Sequence, residues 1–195
     1  MNINRRQAFA FVAGVAATAS IPSLAAPAKV PVIWDGQKMY DTFAKDGTGF
    51  SAPGPDGRKK AFVAFDTQCP DCIRLMDRIA PLYDQIEVVY FPIAFMNEQS
   101  VPQAAMILSD KNPFKKLEEH HAHFRDPGFR GLQYGDVNNF PLELRNKVWL
   151  NAKLHRRSGC RAVPYGVFKN SKGEYVPFDE NLSTKELAEI FEISY

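Results

Sequence analysis

The sequence predicts an α/β fold in which a β-α-β unit, a helical insertion and a β-β-α unit follow one another. Continuous apolar runs at 61–66 and 86–93 are typical of buried parallel strands, and the residues between them recur with helical spacing. Near the carboxyl terminus, a hairpin pattern precedes a capped amphipathic helix. The segment between these two units has three helical patterns, which gives the order of the predicted elements.

The predicted elements are named by their positions in the chain. A first strand covers 61–66, a helix begins at Pro70 and keeps its apolar spacing to Tyr83, and a second strand covers 86–93. The remaining predictions are helices at 99–109, 113–124 and 140–157, a hairpin at 165–178 with its turn at 170–173, and a helix that follows the Ser183/Glu186 capping pair.

Length and charge limit the class of protein. The chain has 195 residues, with 45 % hydrophobic and 24 % charged residues, which predicts one domain with short appendages. Without the first 25 residues, which hold Arg5 and Arg6 and no acid, the basic residues would fall from 24 to 22 and equal the 22 acidic ones. A neutral chain argues against a nucleic-acid partner, which would require a basic face.

Residues 1–25 have the pattern of an export signal. Arg5 and Arg6 form a basic start, residues 8–19 are small and apolar, and Ser23-Leu24-Ala25 fits a cleavage site near Ala25. The paired arginines resemble a twin-arginine signal, but Phe9 lies one position later than that motif prefers, so the general secretory route stays open. The alternative is a helix that belongs to the fold. We therefore predict a signal peptide, removed from a periplasmic protein.

Residues 26–60 are rich in proline, glycine and lysine. They predict an N-terminal extension with a short strand and a helical turn, followed by an irregular loop. The domain that carries the chemistry is expected at 61–195.

Cys69 and Cys72 form a Cys-Pro-Asp-Cys motif where the first strand gives way to a helix. The unpaired N–H groups and the dipole at a helix N-terminus favour a thiolate, which is the form that attacks disulfides. Helical spacing brings the second cysteine back beneath the first. We therefore predict an exposed, nucleophilic Cys69 and a deeper Cys72 that resolves the mixed disulfide.

The residues around the pair modify this prediction. Pro70 should stiffen the turn, whereas the Asp71 carboxylate should disfavour a nearby thiolate through like charge. Arg74 and Arg78, on the following turns, are expected to offset Asp71. We therefore predict a pair that is less oxidising than the strongest oxidants of this type.

Two other interpretations of the cysteines compete with a redox pair. An inert disulfide across two residues would remove little entropy from the unfolded chain. A zinc site needs two more ligands, and no second Cys-x-x-Cys is present. Three histidines, His120, His121 and His123, could supply zinc ligands only if they lie close to the cysteines in the fold. The favoured interpretation of this histidine cluster is a solvated helical face. We therefore favour the redox interpretation, with no metal and no cofactor.

Two further features lie towards the carboxyl terminus. Val163-Pro164 directly precedes an apolar strand, and a proline is allowed at the first residue of a strand. Cys160, the third cysteine, either packs in the core or forms an alternative disulfide near the pair.

Three stretches carry a resemblance to a known family: "FDTQCPDC", "VPQAAMILSDKNPFKKLEEHHAHF" and "RAVPYGVFKNSKGEYV". Together they resemble the DsbC/DsbG family of periplasmic thiol–disulfide proteins over about residues 60–193. The DsbG branch is more similar, since its "FADPFCPYC" places an acid three residues before the first cysteine, as Asp66 stands before Cys69. The resemblance implies a thioredoxin-like fold with a helical insertion between the first β-α-β unit and the C-terminal β-β-α unit.

The resemblance also implies roles for individual residues. Cys69 would be the nucleophile and Cys72 the resolving thiol of a redox-active disulfide. Pro164 would follow a cis peptide bond beside them, with Val163 before it. Pro70, Asp71 and Asp66 would surround this site.

The implied function is that of an exported thiol:disulfide oxidoreductase of the reductase or isomerase type. Its partners would be periplasmic proteins with disulfides or oxidised cysteines, and a membrane redox partner that is DsbD-like or DsbB-like. Val163 departs from the threonine typical of the family and matches the DsbA oxidases, so a DsbA-like oxidase is an alternative. A non-enzymatic metal-binding protein that uses the cysteine pair and the histidines is another. The usual N-terminal dimerisation domain is not recognised in 26–60, which leaves the shared cleft of a dimer in doubt.

Overall fold

The computed structural model describes residues 34–195. The predicted signal peptide, its cleavage near Ala25 and the short strand expected before Trp34 lie outside this range and stay predictions. Between residues 34 and 195, no helix has both the length and the apolar character needed to cross a membrane.

Six α-helices and five strands make up the regular structure of the described part of the chain. The helices are α1 Gly36–Asp46, α2 Pro70–Ile79, α3 Ser100–Ser109, α4 Pro113–Ala122, α5 Leu142–Arg157 and α6 Thr184–Phe191. The strands are β1 Phe50–Ser51, β2 Lys59–Phe65, β3 Ile86–Pro92, β4 Tyr165–Lys169 and β5 Tyr175–Phe178. Short 3-10 helices cover Ala80–Leu82 and Val137–Asn139.

The strands form a mixed sheet of the order β1-β3-β2-β4-β5. β2 and β3 are parallel, as the β-α-β prediction requires, and the other neighbouring pairs are antiparallel. Five successive residues at the end of β2 are buried, which means that the central strand is covered on both faces. α2 contacts α6, whereas α1 contacts α5, β4 and β5. The predicted α/β architecture and element order are confirmed.

The helices end where the sequence gives a physical reason. α2 ends at Ile79, earlier than the predicted Tyr83, because Pro81 has no N–H to continue the ladder and restricts the residue before it; the chain continues as a 3-10 turn. α5 begins directly after Pro141. The capping box of α6 forms as predicted, with Ser183 and Glu186 each accepting from the other's backbone N–H.

The segment before β2 is more ordered than the sequence indicated. The expected helical turn is the eleven-residue helix α1, capped by Asp35, whose side chain accepts from the Lys38 N–H at 2.9 Å. It extends because Met39 and Phe43 are buried on its inner face. The expected irregular loop contains β1, which pairs antiparallel with β3. The division into an extension and a catalytic domain stays a prediction, but 36–51 packs into the same core.

The sheet brings two distant parts of the sequence to one edge. β2 and β4 are antiparallel, with Ala64 opposite Tyr165, so the end of β2 lies beside the beginning of β4. The residues that follow β2 and those that precede β4 therefore meet. This register places the cysteine motif next to Val163-Pro164.

Candidate active site

Cys69 is the N-cap residue of α2, with extended backbone angles, and Pro70 is the first residue of the helix. Proline is well suited to that position because its missing N–H would have no partner inside the helix. The Cys72 N–H donates to the Cys69 carbonyl at 3.2 Å, which closes the first turn and brings the second cysteine beneath the first. All three cysteines, Cys160 included, are unpaired thiols in this structure.

The two thiols of the motif have opposite acidities. The pKa of Cys69 is lowered from its ordinary value, chiefly because the Cys72 thiol donates to the Cys69 sulfur, with further help from the Cys72 and Asp71 backbone N–H groups. The pKa of Cys72 is raised well above its ordinary value, because the residue is buried and donates to Cys69. The Asp66 N–H in turn lies 3.4 Å from the Cys72 sulfur. One sulfur is thus prepared to ionise and the other to keep its proton.

The prediction that Cys69 is exposed is wrong in this structure. Only 3 % of the residue is accessible, against 1 % of Cys72. Its thiol lies against the Val163 carbonyl oxygen, to which it donates at 3.4 Å. Pro70 is exposed and lines two surface clefts of about 540 and 550 Å³. A molecule bound in either cleft would therefore lie one residue from the covered sulfur.

The peptide bond between Val163 and Pro164 is cis, as the resemblance implies. The preceding carbonyl, that of Ala162, accepts from His155 Nε2 at 2.9 Å and from the Cys160 thiol at 3.7 Å. Burial raises the pKa of Cys160 to about 11 and lowers that of His155 to about 4. Cys160 is thus packed in the core, whereas His155, which sequence reasoning missed, fixes the segment that faces Cys69.

Asp66 is buried and organises the loop before Cys69. Its carboxylate accepts from the backbone N–H groups of Gln68, Phe95 and Met96 at 2.8, 2.6 and 2.9 Å, and from the Ser100 hydroxyl at 2.7 Å. A buried carboxylate needs such donors to offset its lost hydration. Asp66 therefore ties the end of β2 to the segment after β3 and to the start of α3.

A second set of contacts holds the same loop from the helical insertion. The Gln68 amide donates to Gln103 Oε1 at 2.6 Å, and the Gln103 amide donates to the carbonyls of Arg130 and Leu132 at 2.7 and 3.0 Å. Arg130 Nη1 returns a hydrogen bond to the Gln68 carbonyl at 3.1 Å. These partners are separated by up to 62 residues in sequence, so no local pattern could have identified them.

The charges around the motif agree only in part with the prediction. Arg74 pairs with Asp71 at 2.6 Å and offsets its charge, as expected. Arg78 instead donates to the carbonyls of Glu180 and Leu182, so the expectation that it also offsets Asp71 is wrong. Asp71 still raises the pKa of Cys69 by its charge, as the weakest of the influences on that thiol.

The histidine cluster is divided among different environments. His120 is fully buried: its Nε2 donates to the Thr67 carbonyl at 2.7 Å, and its Nδ1 accepts from the Leu132 N–H at 3.2 Å. The interpretation of a solvated face is therefore wrong for His120. His123 is exposed and pairs with Asp126 at 2.7 Å. In residues 34–195, no group of three histidine, cysteine or carboxylate side chains could hold a metal ion.

Comparison with known proteins gives one curated relative and a set of solved structures. No protein-family profile matches the sequence. The thiol:disulfide interchange protein DsbG of Pseudomonas aeruginosa is 23 % identical over 141 residues, which are 69 % of this chain and 53 % of that protein. The chain thus spans about half the length of this relative.

Several solved structures are similar in fold, and two of them serve as examples. The catalytic domain of Proteus mirabilis ScsC superposes with a TM-score of 0.61 at 18 % identity, covering 80 % of this chain and 96 % of that one. A periplasmic thioredoxin-like protein from Salmonella enterica serovar Typhimurium gives 0.59 at 16 % identity, covering 79 % and 94 %. The chain has a thioredoxin-like fold, as predicted, with its cysteine motif at the junction of β2 and α2.

Proposed function

We propose that the protein is an exported thiol:disulfide oxidoreductase that exchanges disulfides with cysteine-containing proteins. One observation carries the proposal: Cys69, whose pKa is lowered, caps a helix beside a cis Val163-Pro164 bond and above a Cys72 thiol that keeps its proton. The similarity to a protein named for thiol:disulfide interchange supports the same chemistry.

The first step is attack by the Cys69 thiolate on one sulfur of a substrate disulfide. A new S–S bond joins Cys69 to the substrate, and the substrate's other sulfur leaves as a thiolate that takes a proton from solvent. The lowered pKa raises the fraction of Cys69 that is nucleophilic. The sulfur must become uncovered for this step, since the Val163 carbonyl lies over it.

The second step releases the substrate. Once Cys69 is in a disulfide, it no longer accepts from Cys72, and the Cys72 thiol loses its proton and attacks the Cys69 sulfur. A Cys69–Cys72 disulfide forms and the substrate leaves as a thiol, so two electrons have passed from the protein to the substrate disulfide. The reverse sequence would oxidise a substrate dithiol.

The direction depends on the reduction potential of the pair. The Asp71 carboxylate disfavours the thiolate and makes the pair less oxidising than it would be without that charge, which supports the reductase or isomerase direction. A DsbD-like membrane partner would then keep the pair reduced, and a DsbB-like partner would be needed for an oxidase. The signal pattern in 1–25 and the similarity to a periplasmic thioredoxin-like protein support a periplasmic location.

The test is reduction of insulin disulfides by dithiothreitol with the protein as catalyst. We expect Cys69→Ser to lower the rate to that without protein, because it removes the nucleophile. Cys160→Ala, which removes a thiol outside the Cys69–Cys72 pair, should keep a rate well above that without protein. In addition, Cys72→Ser should accumulate a mixed disulfide through Cys69, since the resolving thiol is gone.

Two results would contradict the proposal. One is insulin reduction that survives Cys69→Ser. The other is stoichiometric metal in protein purified under reducing conditions and lost on Cys69→Ser, which would support the metal-binding alternative.

A further inference from the structure

A surface cleft of about 550 Å³ lies directly beside the cysteine motif. It begins at Pro70, the residue after Cys69, and extends over the segment that follows α4. Its walls combine two aromatic rings with three charged side chains, and the residues that matter are Pro70, Phe124, Arg125, Asp126, Phe129 and Arg130.

Arg130 is held in place within this cleft. Its guanidinium lies over the Phe124 ring at 4.9 Å from the ring centre, and Nη1 donates to the carbonyl of Gln68, the residue before Cys69. The side chain is nevertheless exposed. Because the stacking and the single hydrogen bond occupy only part of the guanidinium, several of its N–H donors remain for another molecule.

The positive charge of the cleft is only partly balanced by the protein's own acids. Between residues 34 and 195, neither Arg125 nor Arg130 forms an ion pair with a carboxylate. Asp126, the acid of this cleft, contacts His123 at 2.7 Å. Two exposed guanidiniums therefore share the cleft with a single carboxylate, which leaves one positive charge in excess.

The cleft on the other side of Pro70 has a different balance. There Arg74 is paired with Asp71 at 2.6 Å, and the acids Asp77 and Glu118 line the wall together with Arg125, which borders both clefts. The cleft of Arg130 thus has two guanidiniums and one carboxylate, whereas the other has two guanidiniums and two carboxylates, so an acidic chain is favoured on the side of Arg130.

We propose that the cleft between Pro70 and Arg130 binds an acidic segment of the protein substrate, close to the cysteine under attack. This inference rests on the proposed function for its substrate. A carboxylate a few residues from the substrate cysteine would meet the Arg125 and Arg130 guanidiniums while the cysteine lies near Cys69. The substrate class is therefore cysteine-containing proteins with aspartate or glutamate near the reactive sulfur.

The test measures binding without chemistry. Two fluorescently labelled peptides share one sequence with serine in place of cysteine, and differ in carrying glutamate or lysine at the flanking positions. The full chain is titrated into each peptide and binding is followed by anisotropy. We expect tighter binding of the acidic peptide, and a preference that decreases as salt is added.

The variant Arg125→Gln removes one of the two charges and leaves Arg130 in its contacts. It should weaken binding of the acidic peptide about two- to fivefold, as expected for a surface ion pair. Lys111→Gln is the matched control, because it also removes one exposed positive charge. Lys111 lies beyond the carboxyl end of α3, whereas it is the other end of that helix, at Ser100, that contacts Asp66 near the motif. The control should leave the preference intact.

Equal binding of the two peptides, or a preference that Arg125→Gln and Lys111→Gln reduce alike, would overturn the inference. The proposed function would fail by a different result, namely insulin reduction that survives Cys69→Ser. Because peptide binding needs no reaction at Cys69, the two failures are distinguishable.

Discussion

Two loops meet at Cys69, and they are held in different ways. The loop at 66–69 is fixed by side chains from several elements: the Asp66 carboxylate accepts four hydrogen bonds, and Gln68 is bonded to Gln103. The loop at 160–164 depends on one carbonyl, that of Ala162, which accepts from His155 and from Cys160.

The difference separates two tasks. The first loop fixes the backbone before Cys69, so that Cys69 keeps its place at the start of α2. The second loop carries the Val163 carbonyl that lies over the Cys69 sulfur, so that loop controls access to the thiol. Substitutions in the first loop should therefore affect the fold most, and those in the second should act mainly on the site and its response to pH.

The largest effect is expected at Asp66. Asp66→Asn replaces the charged carboxylate by an amide, and the N–H₂ group of that amide cannot accept a hydrogen bond from the N–H donors that surround it. Buried hydrogen bonds to a charged acceptor are therefore lost. We expect a decrease in the free energy of unfolding of about 2–4 kcal/mol, measured by urea denaturation. Asp84→Asn, at an exposed position, is the matched control and should change stability little. Equal stability of the two variants would show that the first loop is not held by this carboxylate.

The second effect concerns His155, whose folded pKa of about 4 lies below its ordinary value of 6.5 because the side chain is buried. Its neutral form contributes stability that is fully present above pH 6.5 and is lost as the pH falls towards 4. We expect this loss to reach about 1–3 kcal/mol, and to be smaller in His155→Gln, which keeps a donor for Ala162.

Urea denaturation at pH 7 and pH 4.5 measures that loss. His121, whose pKa burial also lowers to about 4, should contribute a similar decrease to both proteins. His123→Gln, at an exposed position, is the control and should lose as much stability between pH 7 and pH 4.5 as the wild type does. An unchanged pH dependence in His155→Gln would contradict the account of the second loop.

The smallest effect is expected at Asp71, whose charge raises the pKa of Cys69 and is partly offset by Arg74. Asp71→Asn should lower the Cys69 pKa further, and thiolate absorbance can follow this shift. Asp77→Asn, one turn or more further along α2, should change it less. A Cys69 pKa that does not respond to Asp71→Asn would remove the argument for a weakly oxidising pair.

Local patterns predicted the first loop better than the second. The strand ending before Asp66, the proline at the first helical position and the two-residue spacing together identified the Cys69–Cys72 site, because each acts over a few residues. The hydrogen bond between Gln68 and Gln103, and the place of His120 beneath the loop, come from packing between distant segments.

The second loop shows the same limit. Val163-Pro164 could be recognised by resemblance, but nothing local to His155 indicates that it bonds the Ala162 carbonyl. The cover over Cys69 also could not be predicted, since it follows from the antiparallel register of β2 and β4. The sequence thus pointed to the Cys69 sulfur as the candidate nucleophile, and only the fold shows how it is covered.

The central claim is that Cys69 is acidic and becomes uncovered in the folded protein, and its alkylation rate as a function of pH tests this claim most directly. In the reduced protein, iodoacetamide should modify Cys69 before Cys72 or Cys160, with a midpoint below the ordinary thiol value of 9.0. A midpoint at or above that value, or a thiol that reacts only when the protein unfolds, would contradict the account.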